Sequence, residues 1–158
     1  MSQGQKIEYN CLLIALNLKL ITIMPLINWS EKLSVNILEI DNQHKKLVGM
    51  LNKLFDAMQI GRSNEVLRPL LVNMVDYAKH HFATEEKYVE KYNYPEAEKH
   101  ISKHKEFIAK INQFIKDFNS GKIGLSSEIL HFLRTWITEH IQGVAKQYSD
   151  FFNQKGLR

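Results

Sequence analysis

Apolar side chains return every three or four residues in four separate stretches, the interval of helices that bury one stripe. The first stripe is Ile40, His44, Leu47, Leu51, Leu54 and Met58. The second is Leu67, Leu70, Met74, Tyr77, His81, Glu85 and Tyr88. The third runs through Ala97, His100, His104, Phe107, Ile111, Phe114 and Phe118, and the fourth through Ile129, Leu133, Trp136, His140 and Val144. Asn36-x-x-Glu39 predicts a capped start for the first helix. Gly61 with Ser63-Asn64 predicts its end and the cap of the second, expected over about residues 65–91 with Pro69 in the first turn. Tyr92-Asn93-Tyr94-Pro95 breaks the chain before a third helix over about residues 96–118. Asn119-Ser120-Gly121 and Gly124 form a loop. A fourth helix is expected from Ser126 or Ser127 to near Tyr148, where it frays and leaves Phe151 and Phe152 to cover the bundle end.

Four amphipathic segments with short connections predict an all-α, up-down-up-down four-helix bundle over residues 25–158. Leu26–Val35 reads as an extended N-terminal arm, with Trp29 packed over one end. Residues 1–24 lack the helical pattern and read as a leader or dispensable extension. Their apolar run, Cys11 to Leu16, is interrupted by Asn17 and Lys19, short of the roughly 18–20 apolar residues that span a membrane.

Composition narrows the function classes. The chain has 158 residues, with only 7 glycines and 3 prolines, which fits long helices. Its 21 basic and 17 acidic residues are interspersed, giving +4 net, so a solvated surface is expected and no nucleic-acid partner or membrane. Cys11 is the only cysteine, so no intrachain disulfide forms, and a cytoplasmic setting is expected.

The histidines change the picture most. They are His44, His80, His81, His100, His104, His131 and His140, and five of them, with Glu85, fall on the apolar stripes. His81 with Glu85, and His100 with His104, are pairs four apart, so each pair points two donor atoms at one place. A single buried histidine is more often a hydrogen-bonded core residue than a ligand. Five in one core would each cost about 1–3 kcal/mol if unpaired, and bound metal supplies the partners. Six donors exceed the four of a tetrahedral zinc site, which favours two metals sharing a carboxylate. Nitrogen-rich ligation with some oxygen suits iron, with copper, nickel and zinc left open. His80 and His131 lie off the stripes and read as surface or supporting residues.

The residues also carry a family pattern. The motifs are Ile40-Asp41-Asn42-Gln43-His44-Lys45-Lys46-Leu47, His81-Phe82-Ala83-Thr84-Glu85-Glu86, Lys91-Tyr92-Asn93-Tyr94-Pro95, His100-x-x-x-His104 and Trp136-Ile137-x-x-His140-Ile141-x-Gly143. In this order and spacing the chain resembles the hemerythrins, specifically bacterial hemerythrin domains, over about residues 26–152. The resemblance implies a non-haem di-iron site, with an oxo or hydroxo bridge, that binds O2 reversibly. It implies His100, His104 and His140 on one iron, His44 and His81 on the other, which keeps the open position, and Glu85 bridging both. Ile137, beside Trp136, would help form the apolar wall of the O2 pocket.

One position departs from the pattern. The family has a second bridging carboxylate, an aspartate, five residues after the last histidine, and here that residue is Ala145. Neither Glu139 nor Asp150 is placed to substitute. Weaker retention of the metal at His44 and His81 is expected. The function expected is reversible O2 binding as a stand-alone carrier, store or scavenger, without catalytic turnover. A di-iron peroxide-reducing or oxidase-type enzyme, and an iron-handling or sensor module with an incomplete site, are the alternatives. Oligomeric state is not written in the sequence.

Overall fold

A computed structural model describes residues 24–158 of the protein. The expectation for residues 1–24 therefore lies outside the described residues, Met24 apart. Four helical rods make the bundle: α1 (Leu38–Gln59), α2 (Ser63–Lys91), α3 (Ala97–Asn119) and a fourth rod in three consecutive parts. That rod is α4 (Leu125–Trp136), a π-helical stretch (Ile137–Val144) and α5 (Ala145–Gln154). Short connections force neighbouring rods antiparallel, so α1 packs on α2, α2 on α3, and the fourth rod closes against α1 and α3. The predicted up-down-up-down bundle is the fold found. No helix of the described residues is long and apolar enough to cross a membrane.

Several boundaries differ from expectation, each for a local reason. Asn36 does not cap α1: it sits in the left-handed region (φ 55°), and its own N–H donates to Ser34 Oγ. Asp41, inside the first turn, reaches back instead. Its Oδ1 accepts from the Val35 N–H at 2.7 Å and its Oδ2 from the Ser34 hydroxyl at 2.6 Å. This carboxylate satisfies backbone and hydroxyl groups of the arriving arm, the job a cap does one turn earlier. Likewise α2 begins at Ser63 with no side-chain cap, so Pro69 lies inside the helix rather than in its first turn. Pro69 is exposed, and the helix continues through it. The fourth rod does not fray at Tyr148 but runs on to Gln154. Phe152 is fully buried on that extension, and Phe151 packs beside it.

The arm is held by side chains rather than by strand pairing. Asn52 of α1 accepts from the Ile27 N–H at 3.1 Å and donates to its carbonyl at 2.9 Å. Asn153 Nδ2 donates to the Val35 carbonyl at 3.1 Å, and Lys146 Nζ to that of Ser34. Trp29 is partly buried against the core, with the Lys45 ammonium 5.1 Å from its ring.

Two apolar clusters divide the interior. The larger includes Leu47, Leu51, Leu54, Met74, Phe82, Phe107 and Ile137; the smaller includes Ile40, Val89, Tyr94, Ala145, Tyr148 and Phe152. Every rod crosses from one cluster to the other at a polar residue. On α1 His44 lies between Ile40 and Leu47; on α2 Glu85 lies between Phe82 and Val89. On α3 His100 and His104 lie between Ala97 and Phe107; on the fourth rod His140 is followed by Ala145 and Tyr148. The bundle thus presents one polar layer, sealed by hydrocarbon on both sides.

Candidate metal centre

The polar layer converges on one carboxylate. His44, His81, His100, His104, His140 and Glu85 are all between 0% and 3% exposed. Glu85 Oε1 faces His81 Nε2 at 3.3 Å and His44 Nε2 at 3.9 Å. Its Oε2 faces His104 Nε2 at 2.8 Å, His100 Nε2 at 3.0 Å and His140 Nε2 at 3.9 Å. Each oxygen therefore serves its own set of imidazoles, two on one side and three on the other. Within each set, with Glu85 counted in both, the donor atoms lie within 4.8 Å of one another. All six sequence-predicted donors are brought together in this way.

Neighbours fix how the rings are held. The Gln43 carbonyl oxygen lies 2.7 Å from His81 Nδ1, and the Gln43 amide donates to Thr84 Oγ1 at 3.1 Å. The Thr84 hydroxyl in turn donates to the His80 carbonyl at 3.0 Å. This chain assigns the proton of His81 to Nδ1 and leaves the Nε2 lone pair aimed at Glu85. Glu86 Oε1 accepts from His104 Nδ1 at 3.1 Å in the same manner. Aromatic faces clamp two of the rings. Phe82 stacks on His104 at 3.9 Å and 8°, and Trp136 on His140 at 4.1 Å and 16°.

Burial favours the neutral form of His44, His81 and His140. It lowers the His44 pKa from 6.5 to about 4 and pushes His81 well below its ordinary value, although Glu85 pulls the other way in both. Burial lowers His140 as well. Burial alone would raise the Glu85 carboxyl, but the imidazoles around it outweigh burial and hold it below the ordinary carboxylate range. An ionised carboxylate thus meets the lone pair of a neutral His81 at 3.3 Å. Two electron-rich atoms at that distance repel unless a cation lies between them. The ring nitrogens of His44 and His140, and His81 Nε2, also lack hydrogen-bond partners. Unpartnered buried nitrogens around an anionic oxygen fit a metal centre.

These shifts make acid sensitivity a direct expectation for the metal-free protein. A histidine with its pKa depressed by folding binds its proton more readily unfolded, so stability is complete above pH about 6.5 and drains away toward pH about 4. His44 alone accounts for about 3 kcal/mol over that window. Glu85 adds a further loss as pH falls below its unfolded value near 4.5. Chelator-treated protein should melt progressively lower at pH 7.5, 5.5 and 4.5. A flat profile from 7.5 to 4.5 would contradict neutral buried imidazoles.

Tyr148 has a role that sequence reading missed. Its hydroxyl is buried and donates to Glu85 Oε1, on the His44–His81 side. Burial, then Glu85, raises its pKa, so it stays a donor. The available signal was its spacing, eight residues after His140 on the same rod. Gln43, Thr84 and Glu86 were also without roles, although each is adjacent to a predicted donor in sequence.

The π-helical stretch explains a spacing that an α-helix would not. The Ala145 N–H bonds to the His140 carbonyl, five residues back rather than four. Residue 145 therefore stacks over His140, whereas in an α-helix it would be turned away by about 140°. Ala145 is fully buried there. Glu139 and Asp150 are exposed, as are His80 and His131. Of the residues expected to wall an O2 pocket, Trp136 lies against His140, in the three-histidine half, and Ile137 is buried in the larger cluster.

Comparison with known proteins agrees with this geometry. Residues 35–149 match the hemerythrin HHE cation binding domain. The bacteriohemerythrin of Stenotrophomonas maltophilia is 32% identical over 127 residues, covering 80% of this chain and 82% of that protein. That of Clostridium acetobutylicum is 30% identical over 127 residues, covering 77% of this chain and 98% of that protein. Wild-type hemerythrin in its crystal structure superposes with TM-score 0.70 at 28% identity, covering 79% of this chain and 96% of that one. A hemerythrin variant gives 0.72 at 29%, covering 80% and 97%. Fold and site define a helical-bundle protein built around a non-haem metal pair. The chain belongs to the hemerythrin family and is a di-iron O2-binding protein.

Proposed function

We propose that Glu85 bridges two iron ions, one held by His100, His104 and His140 and the other by His44 and His81. We further propose that the chain works as an O2 carrier, store or scavenger without turnover. The observation that carries the assignment is the division of the Glu85 oxygens between two imidazole sets. Two iron ions, when bound, supply the electrons and the vacant coordination position that O2 requires. The protein's part is arrangement. Three imidazoles against two leave the His44–His81 side with fewer donors, hence the side open to a ligand. Gln43 and Glu86 fix the tautomers of one imidazole in each set, and Phe82 and Trp136 hold rings flat. Ile137 contributes to the apolar wall that excludes water, which would otherwise promote loss of superoxide. Binding is favoured over turnover because Asp41, the other buried carboxylate among the described residues, is committed to Ser34 and Val35.

The test is a visible absorption band that grows when the reduced, iron-loaded protein meets air and disappears under vacuum, over repeated cycles. Irreversible bleaching with multiple turnovers of peroxide would favour the enzyme reading instead. Gln43 offers a check on ring positioning. Gln43→Leu removes the acceptor of His81 Nδ1–H, and losing such a supporting bond weakens metal binding by about 10- to 100-fold. Chelator competition should show this loss for one of the two irons, with helical content unchanged.

A further inference from the structure

Tyr77 carries a polar group that neither the fold nor the ligand set uses. It lies four residues before His81 on α2, and its ring stacks on His81 with centroids 4.9 Å apart and an interplanar angle of 23°. The residue is buried, and its hydroxyl has no hydrogen-bond partner and no contact with solvent. A phenol in that position should be expensive, about 1–3 kcal/mol, and phenylalanine would fill the same space without the cost. Other hydroxyls nearby are spent: Tyr148 donates to Glu85, and Thr84 to the His80 carbonyl. The unpartnered indole N–H of Trp136 belongs to the other half, since that ring stacks on His140. Tyr77 is therefore the one unspent O–H donor beside the two-histidine half, among the described residues.

We propose that the Tyr77 hydroxyl donates a hydrogen bond to O2 held on the His44–His81 side, and so sets how long O2 stays. This rests on the O2-binding reading above. A phenol is protonated at neutral pH, so the group has a proton to give to an acceptor that arrives. Access exists. A groove of about 1020 Å³ between α1 and α2 has Gln43, Tyr77 and His81 among its lining residues, with Lys46, Lys53 and Lys79 around it. A small neutral molecule or anion entering there meets this half of the site first. The donor strengthens as negative charge accumulates on the ligand, which favours O2 over an apolar gas of similar size.

The test compares the iron-loaded full chain with Tyr77→Phe. The O2 dissociation rate should rise about tenfold in the variant, the equivalent of one ordinary hydrogen bond, at unchanged iron per chain. In D2O the wild-type rate should change, and the variant's should change less. The metal-free variant should melt at the same temperature or higher, because an unsatisfied hydroxyl has been removed. Equal O2 dissociation rates in the two proteins, or a wild-type rate identical in H2O and D2O, would overturn the proposal. If neither protein forms an air-dependent band at full iron content, the O2-binding reading fails first and this proposal with it.

Discussion

Glu85→Gln should leave a folded protein that holds at most one iron. Glutamine keeps the volume of the side chain and one carbonyl oxygen that can still accept from the Tyr148 hydroxyl. The smaller cluster around Tyr148 and Phe152 therefore has no cause to open. What is lost is the charge and the second oxygen. Oε1 and Oε2 each serve one imidazole set, so a single substitution removes the anionic ligand that the two sites share. The His44–His81 half then has two imidazoles and a neutral amide oxygen in place of the carboxylate, and should bind no iron. The other half retains three and should bind one, weakly. Iron analysis per chain, alongside thermal melting of the metal-free form, checks both parts. Glu85→Ala should lose iron to the same extent and also melt lower, because it strands the buried Tyr148 hydroxyl at a cost of about 1–3 kcal/mol.

Ala145→Asp should act in the opposite direction on iron. The i→i+5 bond from Ala145 to His140 stacks position 145 over a histidine proposed as an iron ligand, so an aspartate there can reach the centre. It would give each iron one more oxygen and the pair one more negative charge. The second iron should then survive chelator washing that strips it from the wild type, and autoxidation should slow. The same substitution should lower the melting temperature of the metal-free protein. A second carboxylate placed beside Glu85 in a sealed core meets like charge without a cation to offset it. The predicted signature is a crossing: metal-free variant below wild type, iron-loaded variant above it. Equal iron content and equal O2 lifetime in the two proteins would show that position 145 does not face the metals.

The sequence made most of the centre legible because four of its donors come in i,i+4 pairs on helices, where spacing fixes direction. His81–Glu85 and His100–His104 are such pairs, and His44 and His140 sit on stripes of the same period. The alternation of apolar and polar positions also located the first three rods and the start of the fourth to within a few residues, while the fourth runs past its expected end to Gln154. What stayed hidden depends on contacts between rods or on backbone changes that leave no period. Gln43 acts on His81 from a different helix, a relation no spacing along the chain encodes. The π-helical stretch leaves the helix unbroken but moves the buried stripe on by one residue, from the expected Val144 to Ala145. The Asn36 cap failed because a stronger local solution exists: the Asp41 carboxylate binds Ser34 and Val35 together, which pulls Asn36 into a left-handed turn. Tyr148 was visible as an aromatic residue on the right face, but its hydroxyl acquires meaning only once Glu85 is known to lie beside it.

The most direct measurement is iron per folded chain in protein purified without chelator and reconstituted anaerobically with ferrous ion. A stoichiometry approaching two, with one iron removed by chelator well before the other, is the predicted result. A fully folded protein that takes up no iron, and whose melting temperature ferrous ion leaves unchanged, would mean that Glu85 and its imidazoles are a hydrogen-bonded core and nothing more.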